Sequence, residues 1–161
     1  MRGSDRPAES VWDYPRPPAV VPADGLQVQV RFGGRLVAST THALRVLETS
    51  HPPVYYLPPQ DVATELLTVA AGTSLCEWKG QAHYWDLRVA DRHAPQAVWS
   101  YPEPFPVYEV LRGFLAFYPG RVDRCTVDGE EVRPQQGGFY GGWITDEIGG
   151  PFKGGAGTAG W

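Results

Sequence analysis

Proline and glycine punctuate this chain too closely to leave room for a bundle of long helices. The 161 residues include 19 glycines and 16 prolines, and 12% are aromatic. Proline fixes φ and removes a backbone donor, while glycine supplies turn conformations, so the segments between them favour short strands joined by turns. The clearest strand alternates strictly, with Leu26, Val28, Val30 and Phe32 on one face and Gln27, Gln29 and Arg31 on the other. Gly33-Gly34 is expected to turn it into a return strand over residues 35–39.

Further along, Thr40 or Thr41 can cap a short helix through Glu48, with Ala43, Leu44 and Leu47 facing inward. HPPVYYLPP reads as a strand clipped by proline pairs, at a sheet edge or in a short insert. Asp61 is expected to cap a second helix to about Leu67, ended by Ala70-Ala71-Gly72. Residues 73–78 and 81–89 form a central hairpin around Lys79-Gly80, and residues 97–101 another strand. A turn or two of helix is expected over residues 107–111. Residues 114–118, 122–127 and 130–132 read as a three-strand meander, with Asp128-Gly129 a strong hairpin signal.

Both ends differ from this body. Residues 1–23, with VWDYPRPPAVVP, form an extended proline-rich arm that lies against the body through Trp12 and Tyr14, residues 1–8 being disordered. Residues 24–134 form the domain. Residues 135–161 are glycine-rich, yet Phe139, Tyr140, Trp143, Ile144, Ile148, Phe152 and Trp161 give the segment anchors that a flexible linker lacks. It is expected to be an ordered strap, packed on its own domain or exchanged between subunits, in a monomer or a homodimer.

The net charge is −4 and no basic run stands out, so a nucleic-acid duplex is not an expected partner. No apolar window approaches a membrane span, and MRGSDRPAES has no apolar region after its charges, so it is not read as a secretory signal. Cys76 and Cys125 lie 49 positions apart, which fits free thiols in a reducing cytoplasm better than a disulfide.

The chemistry concentrates in TSLCEWKGQAHYWDLRV, residues 73–89, where polar groups interleave with large aromatics as in a pocket wall. Lys79, between Trp78 and Gly80, is either a solvated turn residue or a cation aimed at an anionic or carbonyl group of a ligand. The next strand offers His83 and Trp85 on one face, Tyr84 and Asp86 on the other. Cys76 is a small buried thiol or a nucleophile with Lys79 and His83 nearby. Glu48 is the acid/base candidate, or a carboxylate paired with an arginine such as Arg45. Tyr55, Tyr56, Trp99, Tyr101 and Tyr118 complete the walls or serve as core.

Other signatures fail on their spacing. Gly149-Gly150-Pro151-Phe152-Lys153-Gly154-Gly155 lacks the hydroxyl and the following helix that a phosphate loop needs. Cys76, Cys125, His42, His51, His83 and His93 show no ligand spacing, so neither metal nor cofactor is expected.

The segments VQVRFGGRLVASTTHALRVLETSHPPVYYLPPQDV, CEWKGQAHYWDLRV, AVWSYPEP and LAFYPGRVDRCTVDGEEV, in that order, resemble the family called domain of unknown function 427. Its long form also resembles the two ends, ESVWDYPRPP and GGFYGGWITDEIGGPFKGGAGTAGW, so the likeness spans about residues 9–161. The resemblance implies a mainly β fold of the β-tent, Mss4-like type: two small antiparallel sheets leaning together, with one to three short helices. Many β-tent relatives carry zinc on two Cys-x-x-Cys knuckles, and this chain has none. The family is also labelled nucleotidyltransferase-like, but paired metal-binding aspartates and a Gly-Ser motif are missing; Asp123 and Asp128 span a turn. The resulting expectation is a domain that binds an unknown small molecule, with or without turnover, in a cleft between the two sheets. An interaction module using the arm or strap is the alternative, and nucleotide binding a weaker one.

Overall fold

The computed structural model describes residues 9–23 and 25–161; the expected disorder over residues 1–8 falls outside them. The fold is mainly β, mostly antiparallel sheets linked by 3-10 turns, with no α-helix among the described residues. Strands β1 (Glu9–Ser10) and β2 (Ala19–Pro22) belong to the proline-rich arm. Strands β3 (Val28–Phe32) and β4 (Arg35–Thr40) form the hairpin that the alternation predicts, burying Val28, Val30 and Phe32. Gly33 and Gly34 turn it at φ of 60° and 77°, values that glycine adopts without the steric cost of a Cβ.

The expected helix ending at Glu48 is instead strand β5 (Leu44–Leu47). It is hydrogen-bonded on both sides, to β2 and to β6 (Val54–Leu57). A helical preference of a few tenths of a kcal/mol per residue (~0.5 kcal/mol) yields to pairing on two edges. The prolines around β6 do not place it at an edge. They lie outside its four residues, and β6 sits between β5 and β10 (Leu115–Phe117).

The second expected helix shrinks to the 3-10 turns Pro59–Asp61 and Thr64–Leu66. Asp61 accepts a hydrogen bond from Thr40 Oγ1 at 2.7 Å rather than capping a helix. Ala70-Ala71-Gly72 is no helix end: it lies inside β7 (Leu67–Cys76), where the register with β8 (Gly80–Val89) shifts between Val69 and Thr73. The chain returns in β9 (Arg92–Ser100), and the turns expected near residue 107 are the 3-10 segment Pro106–Leu111.

The expected meander divides between two sheets. β10 pairs with β6 and β9, whereas β11 (Arg124–Val127) pairs with β3 and with β12 (Glu130–Glu131) across the Asp-Gly turn. The 3-10 turn Pro119–Arg121 carries the chain between them. In the C-terminal segment β13 (Arg133–Pro134) pairs with β14 (Trp143–Ile144), and β15 (Ile148–Gly149) runs parallel to β1.

The large sheet has the order β2-β5-β6-β10-β9-β8-β7 and the small one β12-β11-β3-β4. This arrangement is consistent with a β-tent. The space between the sheets is filled, with Val30, Phe32 and Cys125 meeting Leu57, Val98 and Phe117. Each such apolar side chain contributes roughly 1.5–3 kcal/mol when fully buried. Trp143 joins this core from the C-terminal segment and donates from Nε1 to the Phe117 carbonyl at 3.1 Å. A second cluster covers the opposite face of the large sheet, including Tyr56, Trp99, Tyr101, Ala116 and Tyr118. Neighbours such as Tyr55 and Tyr56, or Val98 and Trp99, go to opposite clusters, as the two-residue period of a strand requires.

Candidate functional site

A cavity of about 260 Å³ opens on the second, outer face of the large sheet. It does not lie in the cleft between the sheets, because core side chains occupy that cleft. Alternation selects the floor: Val46, Tyr56, Ala82, Tyr84 and Trp99, on β5, β6, β8 and β9, and Tyr101, just past the end of β9, take positions facing away from the core. The roof is the C-terminal segment, through Gln135, Phe139, Tyr140, Gly141 and Lys153.

Lys79 enters from the turn between β7 and β8 and is 8% exposed. Its backbone is pinned, since Phe105 N donates to the Lys79 carbonyl at 2.9 Å. Its Nζ lies 5.9 Å from the centre of the Tyr101 ring, and no ion pair or side-chain hydrogen bond reaches that Nζ among the described residues. The free thiol of Cys76, half-buried, shares the same wall. Cys125 is the inert one, deep in the core, where burial pushes its thiol far above the ordinary value.

The phenols form a connected surface. Trp99 Nε1 donates to Tyr56 Oη at 3.2 Å, and the Trp99 and Tyr118 rings lie 4.5 Å apart. Tyr84 and Ser74 share a hydroxyl hydrogen bond of 2.8 Å, and Tyr118 donates to the Phe139 carbonyl at 2.8 Å. Burial above all, then the neighbouring Tyr56 and Cys76, push the Tyr101 phenol far up. Burial also raises Tyr56 and Tyr118, so these groups remain O–H donors across the neutral range.

Glu48 lines the cavity just beyond β5, with Oε2 3.8 Å from Arg16 Nε and 3.9 Å from His51 Nε2. His51 is buried, and desolvation, then Lys153, Arg16 and Lys79, lower its pKa to about 4. The imidazole is therefore neutral near pH 7. Gln135 fastens the roof: Nε2 donates to the Lys153 carbonyl at 2.7 Å, and Oε1 accepts from Gly142 N at 3.1 Å. Lys153 Nζ donates to the Trp161 carbonyl at 3.3 Å and lies 5.5 Å from the Tyr140 ring centre.

Of the residues singled out in the sequence, Lys79, Glu48, Tyr56, Cys76, Tyr84, Trp99, Tyr101 and Tyr118 come together here. Arg45, Tyr55, His83 and Trp85 do not, because each adjoins a cavity residue on its strand and so faces the other way. Arg45 binds Glu9 at 2.6 Å rather than Glu48, and Tyr55 stacks 5.0 Å from Trp143. Trp85 donates to Ser100 Oγ at 3.0 Å, and His83 pairs across the ladder with Thr73. His51, Gln135 and Lys153 were missed as pocket residues. They come from a loop and a distant tail, and no local spacing marks them. No group of three His, Cys, Asp or Glu side chains among the described residues is arranged to hold a metal.

Comparison with known proteins adds a family and no activity. A family model described as a domain of unknown function (DUF427) matches residues 20–128, more than half of the chain. No curated protein matches it.

Proposed function

Because the chain belongs to the family described as domain of unknown function 427, whose description names no reaction, we propose a function from the cavity itself. The domain binds a small organic molecule that carries an anionic or carbonyl group on an apolar, ring-sized body. The observation that carries this reading is Lys79, a buried cation among aromatic rings without a carboxylate partner among the described residues. A ligand anion supplies the opposite charge that no described side chain brings within ion-pair distance of Nζ. Lys153 adds a second positive charge, while the Tyr56 and Tyr101 hydroxyls supply donors.

The size of the cavity favours a compact acid over a nucleotide, since about 260 Å³ lies below the usual range of about 300–1,000 Å³ for drug-sized ligands. Glu48 and neutral His51 give the same space a carboxylate and an imidazole for proton transfer, so turnover by hydrolysis or proton transfer suits the site better than redox work. An interaction module has less support, because Trp143 and Gln135 of the C-terminal segment are spent on contacts within this chain.

Thermal denaturation with benzoate, para-toluate, phenylacetate and short keto acids tests the proposal. A ligand at a hundred times its Kd should stabilise the protein by about 2.7 kcal/mol. Lys79→Met should lose that response while unfolding near the wild-type temperature. Equal stabilisation of Lys79→Met, or no response to any of these acids, contradicts it.

A further inference from the structure

The full sequence contains twelve arginines and only two lysines, Lys79 and Lys153. Both lysines line the one cavity described above. For holding an anion, arginine is the better residue: its planar fork offers five donors and keeps its charge at any ordinary pH. What lysine offers and arginine does not is a primary amine that can act as a nucleophile. Here the two lysines differ. Lys153 Nζ is already engaged by the Trp161 carbonyl and stands over Tyr140, whereas Lys79 Nζ has no polar partner among the described residues.

We propose that Lys79 is a covalent site, whose amine condenses with the carbonyl group of a small aldehyde or keto acid while Lys153 attracts the ligand's carboxylate. This rests on the cavity being a ligand site. The ammonium releases a proton, the Nζ lone pair attacks the carbonyl carbon, and a C–N bond forms. The carbonyl oxygen then takes up two protons and leaves as water. The net change is ammonium plus carbonyl to iminium plus water, with no oxidant or reductant. The cavity holds groups for those transfers: Glu48 and the neutral His51 imidazole accept protons, and the Tyr101 hydroxyl, whose ring centre lies 5.9 Å from Nζ, donates one.

The test is reductive trapping of the intact protein with para-carboxybenzaldehyde and cyanoborohydride, read by intact mass and peptide mapping. One carboxybenzyl group per chain should appear on Lys79, disappear in Lys79→Met, and require more aldehyde in Lys153→Met. Excess para-toluate, the same acid without a reactive carbonyl, should slow the labelling. Mapping the wild-type adduct needs no variant to fold. Labelling spread evenly over Lys79, Lys153 and the α-amine would overturn the proposal. So would an unlabelled Lys79 in a protein that para-toluate stabilises through Lys79, although the binding reading would then stand. If para-toluate neither binds nor protects and Lys79 stays unlabelled, both fall.

Discussion

An ammonium without a carboxylate beside it still gains from aromatic faces, and a ring at cation–π distance contributes about 0.5–2 kcal/mol. The Tyr101 ring, 5.9 Å from Lys79 Nζ, is such a face. The same surroundings act on His51 in the opposite sense from an ion pair. Burial first, then the positive Lys153, Arg16 and Lys79, hold its pKa at about 4 against an ordinary 6.5. Between those values the unfolded chain binds a proton that the folded chain refuses. The contribution is therefore fully present above pH 6.5 and is lost as pH falls toward 4, a change of about 3 kcal/mol. His51→Gln should flatten this part of the pH dependence, read as the difference between urea unfolding at pH 7 and at pH 4.5. A variant that loses as much stability as the wild type over that interval contradicts the assignment.

At the scale of elements, the roof and floor meet through glycine. A Cβ on Gly141 would collide with the Trp99 indole, and one on Gly142 would sit 2.6 Å from Gln135 Oε1 and 2.9 Å from Pro52. Gly141→Ala should cost about 1–3 kcal/mol by overpacking and weaken ligand response through the displaced Trp99. Gly138→Ala, where a Cβ meets nothing within 4 Å, should stay within about 0.5 kcal/mol of wild type. Denaturant melts of the pair decide it; equal stabilities would mean that the segment does not rest on Trp99. The β7–β8 hairpin around Lys79 was legible in the sequence because alternation and turn chemistry are local signals. Strand β5 was not, since Thr40, Ala43, Leu44 and Leu47 carry a helical spacing and the partners that overrule it, β2 and β6, lie elsewhere in the chain. Glycine likewise tells that backbone can come close to something, without telling that the something is Trp99.

Across the whole molecule, the question that residue patterns left open was which face of the large sheet is filled. Alternation separates Tyr55 from Tyr56 and Trp85 from Tyr84, but it does not say that the small sheet covers one side and the C-terminal segment the other. The small sheet takes Tyr55 and Trp85 into or against the core, and the outer face keeps a cavity with both lysines. Two lysines also make the molecule easy to watch. With lysine side chains labelled with heavy nitrogen, the protein should give two Nζ resonances, and titration with para-toluate should move that of Lys79 along a saturating curve. A Lys79 resonance that stays in place while the acid is raised to millimolar levels, or that drifts linearly like that of a surface amine, would contradict the claim that this ammonium awaits a ligand.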